Sequence, residues 1–132
     1  MATARSTKEV FDYVLLADRS LPAEKRTTFH LASLPTATMI RLRGLVGDTG
    51  ELTGEWVWLA LRVGVRGWRQ FVEDDGTDIP FTTDAKPQTI GGISVPAPAS
   101  EASLNRLSPT DAFELAGAVV RSNMVTVDDA GN

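Results

Sequence analysis

One stretch constrains this chain more than any other. Trp56-Val57-Trp58-Leu59-Ala60-Leu61-Arg62-Val63-Gly64-Val65-Arg66 is a very apolar helix signal that stops at a glycine. In a helix over about residues 52–66, Leu52, Trp56, Leu59, Ala60 and Val63 fall on one face. Trp58, Leu61 and Val65 make a second apolar strip beside it. A helix apolar on two faces is either buried on both or keeps one for a partner. All three tryptophans lie within residues 56–68, so the large apolar contact surface is concentrated there.

The flanking sequence supplies the rest of a small domain. Val10-Phe11-Asp12-Tyr13-Val14-Leu15-Leu16 is aromatic and β-branched over strand length. Asp18-Arg19-Ser20-Leu21-Pro22 closes it with turn chemistry. Thr28-Phe29-His30-Leu31 alternates polar and apolar residues and is the natural antiparallel partner of the first strand. A helix capped by Ser33 or Thr36 follows through Val46, and Gly47-Asp48-Thr49-Gly50 ends it. The apolar helix comes next, with Gly67 placed as its C′ residue. Residues 68–81 read as a hairpin turning at Asp74-Asp75-Gly76.

Residues 82–100 are rich in proline and glycine and read as a mobile linker or arm. The C-terminal part is helical. A short turn at 102–107 precedes Ser108-Pro109-Thr110-Asp111, a cap, a first-turn proline and an acid placed to receive backbone donors. Ala112, Leu115, Ala116, Val119 and Val120 form its packing stripe, and Asn123 is expected to end it. The expected architecture is α+β: an N-terminal antiparallel strand pair, two central helices, a β-hairpin after Gly67 and a C-terminal helix. A flexible start at 1–9 precedes the single domain, 10–125, and an acidic tail, 126–132, follows it.

Composition narrows the function. At 132 residues the chain is long enough to bury a core without metals or disulfides. It has no cysteine, which removes thiolate metal sites, thiol nucleophiles and redox switching. No secretory signal or membrane-spanning run is visible, because Asp12, Arg62 and Arg66 interrupt the apolar segments. Net charge is 13 − 17 = −4, and Arg41, Arg43, Arg62, Arg66 and Arg69 read as solubilising flanks of apolar faces rather than a phosphate-binding patch.

His30 is the single histidine, so neither a serine relay nor a two-histidine metal site can be assembled from this chain alone. Asp74, Asp75 and Asp78 surround Gly76 as in part of a calcium loop. The bidentate acid that would complete such a loop is Thr82 here, and the charged hairpin turn is the stronger reading. No catalytic residue, metal ligand or cofactor is expected, and the chain reads as a non-enzymatic binding protein.

One set of residues resembles a known family. It comprises Asp18-Arg19-Ser20-Leu21-Pro22 after the first strand, Thr28-Phe29-His30-Leu31, and Ala60-Leu61-Arg62-Val63-Gly64-Val65. Gly67-Trp68-Arg69-Gln70-Phe71 follows with Asp75-Gly76 and Ile79-Pro80-Phe81, and then Leu104-Asn105-Arg106-Leu107-Ser108-Pro109 leads to Glu114-Leu115-Ala116. This resembles the tail assembly chaperones of tailed, siphovirus-type bacteriophages and prophages, over about residues 10–81 and 101–125.

The resemblance implies binding of the tape-measure protein, and of the major tail protein as tube subunit, in the host cell cytoplasm before the tail tube polymerises. A chaperone for a long apolar helix needs an apolar groove rimmed by charge. The strip Trp58, Leu61, Val65, Trp68, continued by Phe71 and flanked by Arg62, Arg66 and Arg69, is the candidate for that groove. The competing expectation is a permanent virion component, such as a connector, tube or capsid-decorating protein, using the strip as a subunit interface. Self-association, a membrane-free setting and no nucleic-acid partner complete the expectations.

Overall fold

A computed structural model describes residues 10–44 and 54–131, with side chains in the last helix described as far as Asn123. The expected frayed start at 1–9, the helix end at 45–50 and Leu52 lie outside the described residues. Within them the fold is α+β, as the sequence predicts.

The N-terminal pair forms as expected. β1 (Val10–Val14) runs antiparallel to β2 (Thr28–Ala32), with Phe11 opposite Leu31 and Tyr13 opposite Phe29. Two short 3-10 turns, Leu16–Asp18 and Ala23–Lys25, carry the chain between them. α1 (Thr36–Gly44) then leads to α2 (Gly54–Gly64).

α2 ends earlier than its periodicity suggests. Val65 and Arg66 fit a helical stripe, yet they open a third strand, β3 (Val65–Arg69), that pairs antiparallel with β2 and places Trp68 opposite Phe29. The backbone of β2 needs partners on its second edge, and a β-branched residue suits that strand. Gly67 therefore sits inside the sheet and is not a helix C′ residue. Gly64 terminates α2 for a packing reason. A Cβ there would lie 2.5 Å from Val119 Cγ1, so only glycine lets α2 approach the C-terminal helix this closely.

The turn after β3 is where the sequence puts it. Val72 bridges Asp78, Glu73 N–H donates to Thr77 O at 2.8 Å, and Ile79 N–H donates to Phe71 O at 2.8 Å.

Residues 82–100 are not a structureless linker. They contain the antiparallel hairpin β4 (Gln88–Ile90) and β5 (Ile93–Val95), turning at Gly91-Gly92 with φ of 58° and 81°. Two adjacent left-handed positions are what a tight hairpin turn demands, and glycine meets that demand without a steric penalty. The composition that resembles a linker is here the composition of a turn. The returning segment is docked as well: Val95, Pro98 and Ala99 are buried, and Thr83 bridges Ala99.

α3 (Glu101–Leu104) is capped by Ser100, whose side chain accepts the Ser103 N–H. α4 (Pro109–Gly131) starts at the predicted cap, with Ser108 Oγ accepting the Asp111 N–H at 3.1 Å. Its Leu115, Ala116 and Val119 are buried as expected. Asn123 does not end it: the helix continues through Gly131, across the segment read as an acidic tail. The Asn123 amide reaches outward instead. Its Oδ1 accepts the Leu34 N–H at 2.6 Å, and its Nδ2 donates to Ala32 O at 3.1 Å and to Val119 O at 2.8 Å. This buried side chain ties α4 to the junction of β2 and α1.

Glu114, one face round, ties α4 to the end of β1. One carboxylate oxygen accepts both the Tyr13 hydroxyl at 2.7 Å and the Leu16 N–H at 2.9 Å. The core is thus a sheet and α4 closed around α2. No described helix is long and apolar enough to cross a membrane.

Candidate binding surface

The strip proposed as an apolar groove is not open. Leu61 and Val65 are 1% and 0% exposed, inside the main core cluster, and Trp58 packs half-buried against it. The expectation that a domain this small leaves one face of α2 uncovered is therefore corrected. α4 covers one side, and the docked segment at 82–100, read from sequence as a free arm, closes over another.

Two of the three arginines expected to rim the groove serve that closure. Arg62 is buried, donates from Nε to Ala99 O at 3.1 Å and pairs through its guanidinium with Asp84. In return, Ala99 N–H donates to Arg62 O at 2.9 Å. Further on, in β3, Arg66 Nη1 donates to Ala97 O at 2.8 Å. Prolines at 96 and 98 remove donors from this segment, and α2 and β3 provide charged donors for its carbonyls. These arginines are internal fasteners and not a partner-facing rim.

Trp68, Arg69 and Phe71 are brought together, and with residues the strip did not include. Trp68 stands edge-on to Phe71 (4.9 Å, 88°) and to Phe81 (5.0 Å, 81°), and meets Phe29 at 6.1 Å. Its Nε1–H donates to Ile79 O at 2.7 Å, so the indole joins β3 to the far arm of the turn. Edge-to-face pairs at these distances each add about 0.5–1.5 kcal/mol beyond area burial.

Between residues 68–71 and 78–81 lies an open pocket of about 310 Å³. Phe71 and Phe81 are half-buried along it, and Pro80 is exposed. The signal for the second wall was in the sequence, as Ile79-Pro80-Phe81. Its participation depends on a turn that folds residues 78–81 back onto 68–71.

Gln70 holds the pocket's near wall in an unusual shape. Its φ of 59° is in the left-handed region, uncommon for a residue with a side chain. Thr27 Oγ1 donates to Gln70 O at 2.9 Å, and Gln70 Nε2 donates to Ala23 O at 3.4 Å. These contacts hold the strained residue against the turn before β2.

The acidic turn beside the pocket behaves as turn chemistry. Asp75 Oδ1 accepts the Thr77 N–H at 2.9 Å, and the Thr77 hydrogen bonds keep this exposed carboxyl below its ordinary range. Nearby, Arg106 pairs with Glu73 and fastens the turn to the end of α3. His30, on the other sheet face, meets Asp12 Oδ1 at 2.9 Å, and Arg69 Nη2 is 4.0 Å from Asp12 Oδ2. A second cavity of about 250 Å³ lies between residues 32–38 and 93–97, with Val63 and Arg66 at its floor.

No protein-family model, curated protein or solved structure matches this chain. The site must be read from its own geometry. That geometry offers an open aromatic pocket with an acidic turn beside it.

Proposed function

We propose that this chain is a tail assembly chaperone of a tailed bacteriophage or prophage, acting in the host cytoplasm by reversible, non-enzymatic binding to the tape-measure protein. One observation carries the reading: the most specific residues of the resemblance, Gly67-Trp68-x-x-Phe71 with Asp75-Gly76 and Pro80-Phe81, fold into a single unit. Trp68 sits at its centre, in ring contact with Phe71 and Phe81 and hydrogen-bonded to Ile79 O. A motif spread over fifteen residues thus has one structural reason to exist.

The pocket formed by that unit suits the task. Aromatic edges and a proline accept the apolar side chains of many different helical segments, and a shallow site releases them. The acidic turn gives the charged rim that disfavours a wrong register. The proposed contact surface is therefore Trp68, Phe71, Pro80 and Phe81, in place of the buried strip on α2.

The test is co-expression with the long helical protein encoded next to it, followed by pull-down and a solubility assay. The proposal expects this chain to keep that partner soluble and to be missing from purified particles. Pro80→Asp, at an exposed position, should weaken capture at least tenfold while the fold survives. A chain that leaves the partner insoluble, or that stays in particles at fixed stoichiometry as a virion component would, refutes the reading.

A further inference from the structure

β1 is an outer strand of a sheet ordered β1-β2-β3, and among the described residues nothing pairs with its outer edge. Edge strands are normally blunted by a charged side chain, proline or a bulge. β1 has no proline, the register shift in this sheet lies between β2 and β3, and the one charge of β1, Asp12, is already paired with His30 and Arg69. Val10, at its start, is 53% exposed.

The sequence of β1 selects what can be added there. Val10-Phe11-Asp12-Tyr13-Val14 reads the same in both directions by residue class. We propose that β1 is a self-association edge, at which two copies of this chain join their β1 strands antiparallel about a two-fold axis through Asp12. Val10 then faces Val14, Phe11 faces Tyr13 and Asp12 faces its own copy. Each face of the joined sheet keeps one chemistry, which an isologous contact requires.

The two faces support this pairing differently. Phe11 and Tyr13 stand on the core side with Leu31 and Phe29, yet both are only half-buried, because the core is not closed beyond β1. Joining two copies sets four aromatic rings in a row under the seam, where each covers the next. On the other face the two Asp12 carboxylates meet. Each already has its own His30 at 2.9 Å and its own Arg69 at 4.0 Å. Two carboxylates and two guanidinium groups leave that cluster without net charge when His30 is neutral. The Val14 carbonyl takes Arg19 Nε at 3.1 Å and keeps a second lone pair for the added strand.

The absence of cysteine makes the register directly readable. Facing residues of an antiparallel pair lie about 4.5–5.5 Å apart between Cα atoms, within reach of a disulfide. Purified Asp12→Cys, oxidised in air, should give a covalent dimer as its main product. Phe11→Cys should give at most a tenth of that yield alone, and should cross-link when mixed with Tyr13→Cys. Wild type should sediment as a dimer and Asp12→Lys as a monomer, with circular dichroism unchanged because residue 12 is at the surface. An equal mixture of wild type and Asp12→Lys should return to a dimer containing one of each, since a lysine now faces an aspartate. A monomeric wild type, cross-linking of Phe11→Cys equal to that of Asp12→Cys, or a mixture that forms no heterodimer would overturn the proposal.

Discussion

Replacing Asn123 with alanine should destabilise this protein more than any other single loss of a polar side chain on α4. Asn123 is 1% exposed, and its amide holds the Leu34 N–H and the Ala32 carbonyl, two backbone groups where β2 hands over to α1. Its third contact, to Val119 O, is within α4 and adds little, because that carbonyl has its helical partner. Removing a partner from a buried backbone group costs about 1–3 kcal/mol. The buried Leu34 N–H at the middle of that range and the half-buried Ala32 carbonyl at its lower end give about 3 kcal/mol, before any cavity penalty. Domains of this size have about 5–15 kcal/mol in total, and the midpoint of thermal unfolding should fall by about 10 °C. Urea unfolding followed by tryptophan fluorescence measures the loss, provided the slope with denaturant is unchanged. Asn105→Ala, the same change at an exposed position, should stay within about 0.5 kcal/mol. A loss below about 1 kcal/mol for Asn123→Ala would refute the idea that this amide joins α4 to the sheet.

Three further outcomes test other parts of the structure. Gly64→Ala should cost about 1–3 kcal/mol by driving a methyl into Val119, and Val119→Ala in the same chain should recover part of that loss, as denaturation of the three variants will tell. Asp84→Ala leaves Arg62 buried without its carboxylate and should cost about 2–3 kcal/mol, less than a fully buried pair because Asp84 is itself 27% exposed; Arg62→Ala should cost more, since the bond to Ala99 O goes too, and the order of their urea midpoints checks this. Burial, reinforced by the Glu114 carboxylate that accepts its hydroxyl, raises the Tyr13 pKa. The fold therefore favours the neutral phenol: its contribution is intact below about pH 10 and is lost as pH climbs through the raised value. Tyr13 is the single tyrosine, so phenolate absorbance reads it alone, and Glu114→Gln should bring the midpoint down.

Local signals were legible in the sequence where one residue type has one physical use. Alternation at Phe29 and Leu31 identified a strand, and Ser108-Pro109 identified a helix start, because burial on one face and capping are decided within a few residues. The end of α2 was not legible. Val65 suits a helix stripe and a strand equally, and the choice is made by the open edge of β2, more than thirty residues earlier. Residues 82–100 read as a linker because Gly91-Gly92 serves a linker and a hairpin alike, and what holds the segment down is a pair of arginines, Arg62 on α2 and Arg66 on β3. The same ambiguity moves the candidate site. With the segment free, Leu61 and Val65 would be available. With it docked, the accessible aromatic surface lies around Trp68, and its second wall arrives only through the turn at Asp75.

The two ties made by α4 carry a consequence for synthesis. Glu114 closes on Tyr13 across 101 residues, and Asn123 closes on Leu34 across 89. A ribosome releases the strands of the sheet first, and for most of translation they have nothing to close against. Phe29 and Leu31, fully buried in the finished protein, must wait with an incomplete core until the last helix emerges. Contacts so distant along the chain make folding slow and late, and expose apolar strand surface during the interval. Truncation within α4 should therefore yield a chain that aggregates during production, even though every residue of the aromatic pocket is still present.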